Sequence, residues 1–245
     1  MMRLITVQCK AEMLRIIRNP YYVFWSLLMP IMFYFIFTRV VNTGNDDPTW
    51  RAHYLMSMAT FSVMGSAIMT LGIRLVQERT QGWTTFIRIT PLPGSVYFFG
   101  KMFGQTMMHL FSVICIFIAG YLINSVSLSA GQWVLSGLWI LIGSLPFLAI
   151  GTLVGAMKRV DTASGVSNVI YMALAVAGGM WMPIEILPQL MQKIGHWLPS
   201  YNYGNGAWEI VRGSAPHWSN VLILLGYLVV FMLLSVYIRK KQEAV

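Results

Sequence analysis

The chain has 245 residues, of which 57% are hydrophobic and only 10% charged, and its formal net charge is +9. A soluble domain carries about 25% charged residues, so a soluble protein is excluded and a polytopic membrane protein is expected. The positive balance does not call for nucleic acid, because Lys and Arg gathered in inner loops make a membrane chain basic on their own.

Residues 1–19 are polar-mixed, and no small-residue cleavage site follows the first apolar run. That run is therefore expected to stay as a span and not to be removed as a signal. Leu4, Val7, Ala11 and Leu14 form one helical stripe, and Ile5, Cys9 and Ile16 a second on roughly the opposite side. An interfacial helix is expected here, with Arg15 and Arg18 toward headgroups. Two stripes fit best a helix held between bilayer and protein. Cys9 and Cys115 make neither a disulfide framework nor a zinc pattern.

Crossing about 30 Å of hydrocarbon takes about 20 apolar residues. Six runs qualify, at 21–38, 54–76, 102–123, 133–156, 164–182 and 219–238. With the N-terminus inside, only Arg39, Arg51, Lys193 and Arg212 of the 17 basic residues fall outside. Lys and Arg collect on the cytoplasmic side, so both termini are expected there. None of the eight acidic residues lies in the middle of a span. A proton- or sodium-coupled carrier usually needs such a group near the midplane.

The spans carry polar stripes. Ser62, Ser66 and Thr70 share a face of the second, Gln105, His109 and Ser112 of the third, and Ser164, Ser167, Asn168 and Tyr171 cluster on the fifth. Either these groups bond helix to helix or they line a path; Ser62, Ser66, Thr70, Asn168 and Tyr171 are the candidate path residues. Gly100 with Gly104, and Gly151 with Gly155, have the spacing of close helix contacts.

Between the second and third spans stands QERTQGWTTFIRITPLPGSVYFFGK, residues 77–101. It is charged, yet Trp83, Phe86 and Ile87 are spaced like one face of a short helix. An apolar ridge with Glu78, Arg79 and Arg88 around it suits either a protein partner or the membrane surface. Between the fifth and sixth spans, Leu187, Leu190, Met191, Ile194 and Leu198 mark an amphipathic helix bounded by Pro188 and Pro199. Such a helix reaches only about 17 Å, so it cannot cross. It forms an outer lid or vestibule, or an interfacial belt with Trp197, Tyr201 and Tyr203.

No catalytic constellation is present in the sequence. GSVYFFGKM, residues 94–102, has one residue too many between its glycines for a nucleotide loop, and Met stands where Ser or Thr must hold magnesium. The four histidines make no ligand motif, and there is no nucleophile elbow.

Two motifs carry a resemblance to the type-2 ABC transporter permease family. The first is Glu78, Arg79 and Gly82, then Thr90, Pro91 and Leu92, then Gly100 and Lys101 entering the third span. The second is Gly178, Gly179, Pro183, Leu187 and Pro188, then Leu198, Pro199 and Tyr201. Trp83 departs from the pattern, since family members usually carry a smaller residue after the loop glycine. The resemblance implies an all-α polytopic membrane protein of one permease domain, 1–245, in a bacterial plasma membrane. It implies six transmembrane helices, an N-terminal interfacial helix over 1–19, a cytoplasmic coupling loop over 77–100, and outer re-entrant half-helices over 183–218.

By the same resemblance, Glu78, Arg79, Gly82, Trp83, Phe86, Ile87, Arg88 and Pro91 would meet a separate ATPase subunit, which alone would hold ATP and magnesium. Pro183, Glu185, Leu187, Pro188, Pro199 and Tyr201 would form an outer gate. A second permease copy or a paralogue would complete the core, and the apolar spans favour a lipophilic cargo such as an antibiotic or lipid. The rival functions are an ATP-independent carrier or channel, and a membrane sensor or assembly subunit.

Overall fold

In hydrocarbon no water is present to bond backbone polar groups, so an apolar chain must satisfy them within helices. The computed structural model describes residues 2–18, 20–41, 47–90 and 92–243, and all regular structure among them is helical. Among the described residues five helical stretches are long and apolar enough to cross a membrane: Pro48–Thr80, Gly94–Asn124, Ala130–Val154, Val160–Ala177 and Trp218–Ile238.

The first expected span, 21–38, lies on two consecutive helical elements. Helix α2, Pro20–Phe35, passes into a π-helical stretch, Ile36–Val41. Among the described residues its apolar part is Ser26–Val41. Pro30 lies inside it, and Arg39 near its end donates to the Ile123 carbonyl. Helix α1, Met2–Ile17, precedes it.

The second span is longer than expected. It runs through α3, Pro48–Gly65, a π-helical turn at Ser66–Thr70, and α4, Leu71–Thr80. Asp47 caps its start: the carboxylate accepts from the Thr49 N–H at 2.8 Å, and Pro48 stands at the first helical position. Its 33 residues extend about 50 Å, longer than about 30 Å of hydrocarbon, so α4 carries its charges to one end of the bundle. The short α5, Trp83–Arg88, follows, then α6, Gly94–Asn124. The near-miss nucleotide loop at 94–102 is the opening of α6 and is helical.

Helices α7, Ala130–Gly143, and α8, Leu145–Val154, join at a break at Ser144, just before Pro146. Helix α9, Val160–Ala177, ends five residues short of the expected span. There Gly179 takes φ +73°, a left-handed conformation that glycine adopts without a Cβ clash. The region 183–218 is built of several helical pieces, and the amphipathic helix expected over 187–198 is shorter than its apolar spacing. A 3-10 turn at Ile184–Ile186 leads to the short α10, Gln189–Gly195, and then to α11, Pro199–Val211. The chain closes with α12, Trp218–Glu243. Pro188 and Pro199 each stand at the start of a helix, so α10 lies between them as expected, while Leu187 and Leu198 fall outside it.

Helix α3 is the axis of the core. Nearly all its residues from Tyr54 to Gly65 are buried, among α2, α6 and α11. Helix α11 is buried too, and its polar groups are bonded inside: Asn202 donates to the carbonyls of His196 and Leu198, Tyr203 to Ile140, and Trp208 to Ser57. The paired glycines set two tight crossings. Gly151 lies against the backbone carbonyl of Ala67, and Gly100 and Gly104 lie against Gln8 and Glu12 of α1. The second stripe of α1 therefore faces this chain's own α6, while Leu4, Val7 and Leu14 are exposed.

Candidate functional site

At the α5 end of the bundle, α4 stops at Thr80 and the chain reverses through Gly82 at φ +74°. Trp83 and Phe86 stand exposed on the next helix with ring centroids 6.4 Å apart. Ile87 is half-buried, and Ile89, just beyond the helix, is 78% exposed. The exposed ridge is thus Trp83, Phe86 and Ile89, and it excludes the expected Ile87. The side chain of Arg88, and Pro91, lie outside the described residues.

Glu78 and Arg79 do not ring this ridge as expected. Arg79 turns back and donates to the carbonyl of Met157 in the connection between α8 and α9. The Glu78 carboxylate is buried and holds Lys101 at 2.6 Å, and it accepts from Tyr97 and Arg15 as well. Lys101 reaches Glu12 at 3.0 Å, and Glu12 pairs with Arg74 at 2.8 Å. Three cations and two carboxylates, from α1, α4 and α6, thereby close one cluster in which both carboxylates and Lys101 are buried. Desolvating a lone charge there would be costly, and each buried member has at least two ionic or hydrogen-bonded partners.

Beside this cluster a cleft of about 860 Å³ opens between α2, the α3–α4 stretch and α9. Ser62, Ser66, Thr70 and Tyr171 line it, together with Arg15, Arg74, Phe33 and Trp181. Ser62 donates to the Ser26 carbonyl at 3.3 Å, and the Tyr171 hydroxyl donates to the Phe61 carbonyl at 3.3 Å. The Tyr171 ring stacks on Phe61 at 4.8 Å and lies over Gly65, where any Cβ would stand 2.7 Å from it. Asn168 is not among them; it is exposed elsewhere on α9. At the α10 end of the cleft, Trp181 meets Phe33 edge-on at 5.6 Å and Phe61 at 6.0 Å.

The polar stripe on α6 serves packing. Gln105 donates to the Ser66 hydroxyl at 2.6 Å and carbonyl at 3.2 Å, and lies 3.2 Å from His109. His109 is fully buried and lies 3.5 Å from Ser144 at the α7–α8 break. These bonds pin the π-helical turn to α6.

The expected gate residues divide. Pro199 is buried at the start of α11, and Tyr201, half-buried, packs edge-on to His196 at 4.5 Å and Trp208 at 5.9 Å. Pro183 and Leu187 are half-buried, whereas Glu185 and Pro188 are exposed.

The two ends of the first motif thus meet: its Glu78 and its Lys101 are ion-paired. Comparison with known families agrees. The model of "ABC-2 family transporter protein" matches residues 40–237. The chain belongs to the ABC-2 transporter family. It is 60% identical over all 245 residues, covering 100% of both chains, to the protein named "Putative transport permease YvfS" of Bacillus subtilis (strain 168). As an ABC-2 transport permease it is a transport component and a multi-pass membrane protein.

The ABC-2 motif glycines and prolines sit where the backbone needs them, at Gly82, Gly179 and Pro199. Glu12, Arg74 and Trp181 escaped the sequence-based reading. Glu12 stood alone among the acids of 1–19, and a charge on a helix otherwise striped with apolar residues was the signal available.

Proposed function

We propose that the chain is the membrane-spanning subunit of an ATP-driven exporter. It would form the translocation path and take its energy from a separate ATPase subunit, the holder of ATP and magnesium. One observation carries this: the exposed ridge of Trp83, Phe86 and Ile89 stands on a loop whose two flanks are locked, through Glu78 and Lys101, to helices beside the cleft.

A push on the ridge is then transmitted to α1, α4 and α6 together. The cleft, with Ser62, Ser66, Thr70 and Tyr171 on its wall, is the path, and a second copy or a paralogue closes it from the open side. The α10–α11 region, with Pro183, Leu187, Pro199 and Tyr201, forms the exit. Helix α2 completes a six-span subunit with both termini cytoplasmic. Packed polar groups that can shift between two arrangements are what such a change requires.

Aromatic residues at the centre of an interface carry most of its binding energy. Replacing Phe86 and Trp83 by Asp is expected to abolish co-purification of the ATPase subunit while the chain still inserts. Undiminished association of that double variant overturns the coupling role.

A further inference from the structure

The cleft has two chemically distinct ends. Along most of its length the wall is apolar, built by Met29, Phe33, Phe61, Met69, Met172 and Trp181. At the α5 end it is formed by Arg15, Arg74 and Gln77. The charges there are arranged unevenly. The carboxylates of Glu78 and Glu12 are withdrawn, 1% and 6% exposed, whereas the guanidinium-bearing side chains of Arg15 and Arg74 are 47% and 21% exposed. Lys101, 3% exposed, sits behind them between both carboxylates. Three cations against two anions leave one positive charge in excess, and the exposed part of the cluster is cationic.

The lengths agree with a lipid-like occupant. Ser62 and Arg74 are twelve residues apart along one helix, a rise of about 18 Å. That is comparable with half of a hydrocarbon core of about 30 Å.

We propose that the cleft binds an anionic amphiphile, its acidic head at Arg15 and Arg74 and its hydrocarbon along the Met- and aromatic-lined wall. This deepens the exporter assignment by naming the cargo's chemistry, and it rests on the cleft being the path. Arginine presents forked donors that match phosphate or carboxylate oxygens. Methionine side chains adapt to irregular apolar shapes. A cationic amphiphile would meet the exposed guanidinium groups head-on, and a small free anion would leave the apolar wall unused.

The test uses the full chain in phosphatidylcholine nanodiscs, with Cys9→Ser, Cys115→Ala and Met69→Cys substitutions. The rate of maleimide labelling is followed while dodecyl phosphate, dodecyltrimethylammonium or inorganic phosphate is added. Dodecyl phosphate is expected to protect the Met69→Cys site at a concentration about tenfold lower than the cationic amphiphile, the effect of one charge-assisted bond. Inorganic phosphate is expected to give no protection. Adding Arg74→Gln should erase the tenfold preference, and Arg74→Lys should keep it. Glu12 retains Lys101 in both, so the fold survives.

Equal protection by both amphiphiles overturns the proposal, as does protection by inorganic phosphate alone. Protection that grows with chain density and without amphiphile also overturns it, since a second copy then fills the cleft. ATPase association is read separately: a chain that binds dodecyl phosphate but recruits no ATPase keeps this site and loses the exporter assignment.

Discussion

Lys101 faces two carboxylates at once, at 2.6 and 3.0 Å, with 3% of its side chain exposed. Lys101→Met is therefore expected to destabilise the detergent-solubilised chain by about 3 kcal/mol, read as a drop in Tm. The neighbouring partners of Glu12 and Glu78 keep the loss at the lower end of what breaking a buried pair costs. Arg159 is the control. Its 3.9 Å pair with Asp161 has 78% and 91% exposed side chains, so Arg159→Met should leave Tm unmoved. The contrast also explains what the sequence hid. Glu78 and Arg79 are adjacent and both charged, and only the burial of α4's last turn decides that both turn inward. Phe86 and Trp83, exposed on a six-residue helix, were legible because aromatic spacing there has no competing explanation inside a core.

Helices crossed at their glycines are the next level. A Cβ at Gly151 would press into the backbone carbonyl of Ala67, which cannot swing aside. Gly151→Val is expected to cost about 1–3 kcal/mol by overpacking, again as a lowered Tm. Gly226 in α12 has open space around it, and Gly226→Ala there should raise stability by up to about 1 kcal/mol through helix propensity. Five of the six expected spans were legible because about 20 apolar residues in a row have no other stable home. Their ends were not, since capping by Asp47 and the left-handed Gly179 act on single residues. The helix expected between Pro188 and Pro199 is α10, but Leu187 and Leu198, which share its apolar spacing, fall outside it because each precedes a proline. The π-helical turn at Ser66–Thr70 leaves no mark in composition; it is held by Gln105 from another helix.

For the molecule as a whole, the charge distribution sets the direction in which it lies. Arg15, Arg74, Arg79 and Lys101 gather at the α5 end, while Arg51 and Arg212 lie at the far one. With Cys9→Ser and Cys115→Ala as background, a Ser214→Cys variant is expected to react with an impermeant maleimide in intact cells. A Thr85→Cys variant should react only after lysis. The reverse pattern would turn the α5 ridge away from any ATPase inside the cell.

The three rings at the α10 end of the cleft have a consequence for timing. Phe33, Phe61 and Trp181 meet edge to face, and each such contact contributes about 0.5–1.5 kcal/mol. On the proposal that the cleft is the path, these two contacts would hold its α10 end closed by only about 1–3 kcal/mol. A pull that moves Trp181 off Phe33 and Phe61 would then open that end, and on that proposal the slow step would lie with the subunit that pulls.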